Sequence, residues 1–103
     1  MQILKYPLTY PACEVRMHAG AQILSVKEQN GVICVWALSN PENKKMIVQF
    51  RLFLTGETIR SEYADEMAHG RGRLQFRDTV QVPDPSFPNG QCVTHVFTDH
   101  GVW

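Results

Sequence analysis

Apolar residues in this chain recur mostly with a period of two, which is the spacing of a strand with one face turned to a core. The clearest unit runs from residue 23 to 38. Two apolar runs flank Asn30-Gly31. Asn-Gly favours a two-residue type I′ turn because both positions need positive φ, so the pattern predicts a hairpin of strands 23–29 and 32–38. A turn there sets the register. Gln29 opposes Val32, Glu28 opposes Ile33, Lys27 opposes Cys34, Val26 opposes Val35 and Ser25 opposes Trp36. Leu24 then meets Ala37, and Ile23 meets Leu38. The first strand carries polar Ser25, Lys27 and Gln29 on one face. The second, Val32-Ile33-Cys34-Val35-Trp36-Ala37-Leu38, has no polar face. Such a strand is central and needs cover on both sides.

Further strands follow from the same alternation. Residues 2–6 form one, ended by Pro7 and Pro11, and residues 13–17 form another. In residues 45–56, Met46, Val48, Phe50, Leu52 and Leu54 share an apolar face, while Ile47, Gln49, Arg51, Phe53 and Thr55 share a mixed one. In residues 73–82, Leu74, Phe76, Val80 and Val82 point one way, and Arg73, Gln75, Arg77, Thr79 and Gln81 point the other. Asp78 falls among the apolar positions, which predicts a bulge or bend. Residues 91–99 make the last strand. The period changes to that of a helix only around 58–69, where Ile59, Tyr63 and Met67 recur four apart and Gly70 stands at the end. The expected fold is therefore mainly β. It is a single domain over residues 1–103, an antiparallel β-sandwich or small barrel of six to seven strands with one short helix at about 59–69, and residues 99–103 form a mobile tail unless Trp103 docks.

Composition narrows the function classes. Ten basic and ten acidic residues cancel, and 44% of the 103 residues are hydrophobic. A neutral chain offers no general field to nucleic acid or an anionic membrane, so extended nucleic acid is not an expected partner. No apolar run is long enough to span a bilayer as a helix, and the first residues lack the apolar stretch of a secretory signal. Three cysteines, Cys13, Cys34 and Cys92, without a C-x-x-C pair read as reduced residues of a cytoplasmic protein.

Chemistry is sparse. Four histidines and three cysteines lack the spacing of a metal site, and no cofactor fingerprint occurs, so neither a metal nor a cofactor is expected. Cys92 and His95 have opposite strand parity and cannot form a nucleophile pair. His95 stands as a weak candidate base, otherwise a hydrogen-bonded strand residue. The one basic cluster, residues 69–77, offers Arg73 and Arg77, with Arg51 on another strand. Guanidinium groups bind phosphate bidentately, so Arg51, Arg73 and Arg77 are the candidate ligand residues, their alternative being pairing with nearby carboxylates. Trp36, Phe53, Val93 and Phe97 add apolar area beyond what one sheet buries. Homo-oligomerisation through a sheet face accounts for them, and an ordinary two-layer core is the competing account.

Several segments resemble one family. Lys5-Tyr6, the run from Gly20 to Leu38 (GAQILSVKEQNGVICVWAL), FRLFLTGETI at 50–59 and THVF at 94–97 are similar to a group of short proteins from tailed bacteriophages. The likeness spans roughly two thirds of the chain and is most specific at the hairpin. It departs in the C-terminal third, where PDPSFPNG at 83–90 replaces a short His-Gly-Gly turn. The family carries no activity to transfer. The resemblance implies a phage accessory protein in the cytoplasm of an infected bacterial host. Three functions follow as expectations. The first is non-catalytic binding of a host protein or a small phosphate-bearing molecule, in host takeover or counter-defence. The second is a small hydrolase or nuclease on a phosphate ester, with His95 and Arg73 converging on one phosphate. The third is a minor virion or assembly component.

Overall fold

Period-two alternation becomes seven antiparallel strands in a computed structural model that describes residues 1–60 and 73–100. They are β1 (Gln2–Pro7), β2 (Ala12–His18), β3 (Gln22–Gln29), β4 (Val32–Ser39), β5 (Lys45–Leu54), β6 (Leu74–Pro83) and β7 (Gln91–Asp99). Two sheets result, a three-stranded one in the order β1-β4-β3 and a four-stranded one in the order β2-β5-β7-β6. The sandwich expected from the sequence is the observed architecture. Among the described residues there is no helix. The helix expected at about 59–69 falls almost wholly outside them, and its first residues are irregular.

The hairpin turns as its sequence requires. Asn30 has φ 54° and Gly31 has φ 83°, the left-handed pair of a type I′ turn. The expected register holds from Gln29↔Val32 to Ser25↔Trp36 and then breaks. Beyond Ser25 the ladder resumes as Ile23↔Ala37 and Gln22↔Leu38, so Leu24 is bulged out and half exposed. The bulge exchanges the faces of Leu24 and Ile23. Ile23 packs against the core instead.

β4 is central, flanked by β1 and β3, as its two apolar faces demand. Its inner residues Ile33, Val35 and Ala37 are buried between the sheets. On the outer face Cys34 is also buried, between its cross-strand neighbours Pro7 and Lys27, while Trp36 and Leu38 are half-buried. The core joins both sheets. Val26, Val35 and Ala37 of one meet Phe50, Leu52 and Val96 of the other, and none of these exceeds 2% exposure. The predicted apolar row of β5 supplies that second layer, although β5 ends at Leu54 and Gly56 turns the chain at φ 88°.

The bulge expected at Asp78 is present, between the pairs Phe76↔Phe97 and Asp78↔Val96. Its consequence overturns the single apolar face read for 73–82. An extra residue, Arg77, shifts the alternation by one. Val80 and Val82 face the core with Val96, while Leu74 and Phe76 lie on the opposite face with Phe97. Phe76 is 53% exposed and meets Phe97 edge-on at 5.5 Å. At the other end of the sequence, Asp99 closes β7 as the expected strand 91–99 has it, and is buried; residues 101–103 of the segment read as a tail lie outside the described residues.

Candidate functional site

The inner layer between the sheets opens at both ends. At the end away from the hairpin turn lies a cleft of about 940 Å³, lined in part by Met17, Ile23, Val48, Arg77, Thr98 and His100. At the hairpin end a second cleft of about 540 Å³ is lined mainly by apolar residues, among them Leu8, Ile33, Leu52, Val82 and Phe87. The volumes fall in the range of small-molecule sites, and among the described residues an arginine lines the larger cleft and none lines the smaller.

Arg77 is the bulged residue of β6, and the bulge aims its side chain into the cleft rather than onto the outer face. Its Nε donates to Thr98 Oγ1 at 3.0 Å, and an Nη donates to Gln75 Oε1 at 3.1 Å. Both acceptors are neutral. Among the described residues Arg77 pairs with no carboxylate, so three of its five N–H donors remain for a ligand. Burial pulls its guanidinium below the usual arginine range, since a partly desolvated cation is disfavoured. Thr98 Oγ1 also bonds His100 Nε2 at 2.8 Å. His18, held at Nδ1 by the Asn43 carbonyl at 2.8 Å, stands on the same lining. Glu14 and Asp99 reach it as well, Asp99 being engaged by arginines on the other side of the sheet.

The three arginines read as candidate ligand residues are thus divided. Arg51 Nε donates to Asp99 Oδ2 at 2.6 Å, and Arg73 Nε lies 3.8 Å from Asp99 Oδ1. Asp99 is 4% exposed. Two cations around one buried carboxylate form a structural cluster on the outer face of the four-stranded sheet. Arg77 alone enters the cleft. Thr98, His100 and His18 went unnoticed in the sequence, because no spacing links them; a hydrogen bond joins Thr98 to His100 at the end of β7, and the end of β2 places His18 on the same lining.

His95 takes the bland role. Its Nε2 meets Thr55 Oγ1 at 2.7 Å and its Nδ1 meets Thr79 Oγ1 at 3.0 Å, so both ring nitrogens have hydroxyl partners. Arg73 engages Asp99, four residues further along β7, with Phe97 on the same face between them. At ~3.3 Å per residue this separates the backbones by ~13 Å, too far to grip one phosphate from apposed side chains. Cys92 lies on the inner face and His95 on the outer, as parity required.

The four residues read as an interface also divide. Trp36 is on the outer face of the three-stranded sheet. Phe53, Val93 and Phe97 are on the outer face of the four-stranded sheet, at the opposite surface of the sandwich. Phe97 is only 6% exposed, because Phe53, Leu74 and Ile59 of its own chain pack on it. It has little area left for a partner. Among the described residues no group of three or more His, Cys, Asp or Glu side chains clusters as a metal site would, and no helix is long and apolar enough to cross a membrane.

These features define a small two-sheet antiparallel β-sandwich with a cleft that holds Arg77 at one end and a second, mainly apolar cleft at the other. Residues 1–102 match the family described as Domain of unknown function (DUF7352), and the chain belongs to that family. No curated protein and no solved structure matches it.

Proposed function

We propose that this chain is a non-catalytic binding protein of a tailed bacteriophage, acting in the cytoplasm of the infected host, and that it holds a small phosphate-bearing molecule in the cleft around Arg77. The phage context rests on the resemblance of the hairpin, FRLFLTGETI and THVF segments. One observation carries the ligand class: a partly buried guanidinium at the mouth of a roughly 940 Å³ cleft whose bonded partners are neutral. An anion there gains a charge-assisted, potentially bidentate contact without displacing a resident carboxylate. Apolar Met17, Ile23 and Val48 on the same lining suit the organic part of such a ligand. His95 favours binding over hydrolysis, since both its nitrogens are engaged by threonine hydroxyls.

The test is calorimetric titration with a nucleoside monophosphate and with inorganic phosphate, on the wild-type protein and on Arg77→Gln. Saturable binding that weakens by ~10- to 150-fold in R77Q supports the reading, the range of a hydrogen bond to a charged group worth about 1.5–3 kcal/mol. Absence of saturable binding, or equal affinity in the variant, overturns it.

A further inference from the structure

A sheet edge is an open row of backbone donors and acceptors, and soluble proteins usually blunt it. Four strands form edges here: β1 and β3 of the three-stranded sheet, β2 and β6 of the four-stranded one. Three of them carry blunting devices. β1 is six residues long, bears Lys5 and ends in Pro7. β3 is bulged at Leu24 and bears Lys27. β6 is bulged at Arg77 and ends in Pro83. β3 and β6 also pack against each other and close that side of the sandwich. β2 is different. Its seven residues pair with β5 without a break, from Ala12↔Arg51 to His18↔Lys45, and it contains no proline, lysine or bulge. Among the described residues no strand pairs with its other edge.

The charges on β2 select a partner. Glu14 and Arg16 lie on its outer face, both exposed, and neither makes an ion pair among the described residues. Suppose a second copy pairs antiparallel along this edge about a two-fold axis, so that the sheet continues with the same face outward. The two-fold then passes through a residue opposite its own counterpart. An axis at Glu14 sets two carboxylates face to face, and an axis at Arg16 sets two guanidiniums face to face; like charges directly opposite are unfavourable. An axis at Val15 sets Glu14 against the partner's Arg16, and Arg16 against the partner's Glu14. Val15 then meets its own counterpart on the buried face, and Cys13 meets the partner's Met17. The strand is self-complementary in that register alone.

We infer that β2 is a homodimer edge, pairing antiparallel with β2 of a second copy about Val15 and joining two four-stranded sheets into one of eight. An isologous contact of this kind closes after two subunits, which keeps the open edge from recruiting further chains. The pairing stands apart from the ligand reading, and either can hold without the other.

Charge reversal tests it. Glu14→Arg places Arg opposite Arg at both sites, and Arg16→Glu places Glu opposite Glu. Sedimentation or native mass spectrometry is expected to show a wild-type dimer and a dimer weakened ~10-fold or more in each single variant. The double variant E14R/R16E restores the pairing with its charges exchanged, so its dimer returns. A wild-type monomer, single variants that dimerise as the wild type does, or a double variant no better than its parents overturns the inference. Hydrogen exchange on the wild-type protein gives a reading that needs no variant. Amides of β2 are expected to gain protection as protein concentration rises, and protection independent of concentration overturns it too.

Discussion

Asp99→Asn separates the arginines that hold the fold from the one that faces the cleft. The variant keeps the shape of the side chain and replaces a carboxylate oxygen by an NH₂ donor. Arg51 Nε loses a bond of 2.6 Å to a carboxylate that is 2% exposed in its side chain. A hydrogen bond to a charged group contributes about 1.5–3 kcal/mol. Arg73 at 3.8 Å is beyond hydrogen-bond range and contributes a Coulomb attraction only. Its side chain is 32% exposed, so solvent screens that attraction to ~0.5–1 kcal/mol. The expected loss is about 2–4 kcal/mol. With a urea slope of ~2 kcal/mol per molar, the unfolding midpoint falls by ~1–2 M, read by tryptophan fluorescence and circular dichroism together. Arg77→Gln should cost less, because it leaves no buried charge without its counterions, whereas D99N strips a buried site of the carboxylate that two cations share. A midpoint for D99N within ~0.3 M of wild type, or an R77Q as damaging as D99N, would refute the division of the arginines.

Two further outcomes follow from the packing and the surface. Phe50→Ala empties a site with 0% exposure and should cost ~3–5 kcal/mol, whereas Phe76→Ala, at 53% exposure, should cost under ~1 kcal/mol; thermal melts that reverse this order would show the faces of β6 assigned wrongly. Tyr10 ionises above the usual tyrosine range, first because its hydroxyl donates to Glu57 Oε1 at 2.6 Å and then because burial and the Glu57 charge disfavour the phenolate. The raised folded value means its contribution to stability is fully present below ~10 and lost as pH rises through the folded value. A late tyrosinate transition is expected by ultraviolet absorbance, and Tyr10→Phe should remove it; a curve unchanged in Y10F would contradict the Glu57 contact.

What the sequence determined is local or strictly periodic. Alternation located the strands, because a half-buried strand leaves every second residue to the core. Asn30-Gly31 specified its turn, because few residues tolerate two consecutive left-handed conformations. The run from Val32 to Leu38 announced a central strand, because an edge strand exposed to water would not carry apolar residues on both faces. Asp78 even marked its bulge.

The sequence did not determine what the bulges do to everything beyond them. A one-residue shift sends Leu24 outward and Ile23 inward, moves Phe76 to the opposite face from Val80, and turns Arg77 from the outer surface into the cleft. Parity counted along the chain fails there, since each bulge resets it. Sheet order was equally out of reach. β7 lies between β5 and β6, and that placement brings Arg51 from β5 to Asp99 on β7, 48 residues along the chain. Sequence showed three arginines of one kind. Only the tertiary structure could make two of them counterions to a buried carboxylate and leave the third facing a cleft, because the pairing energy of a charge depends on its distance and burial, and both are set by residues far away in the chain.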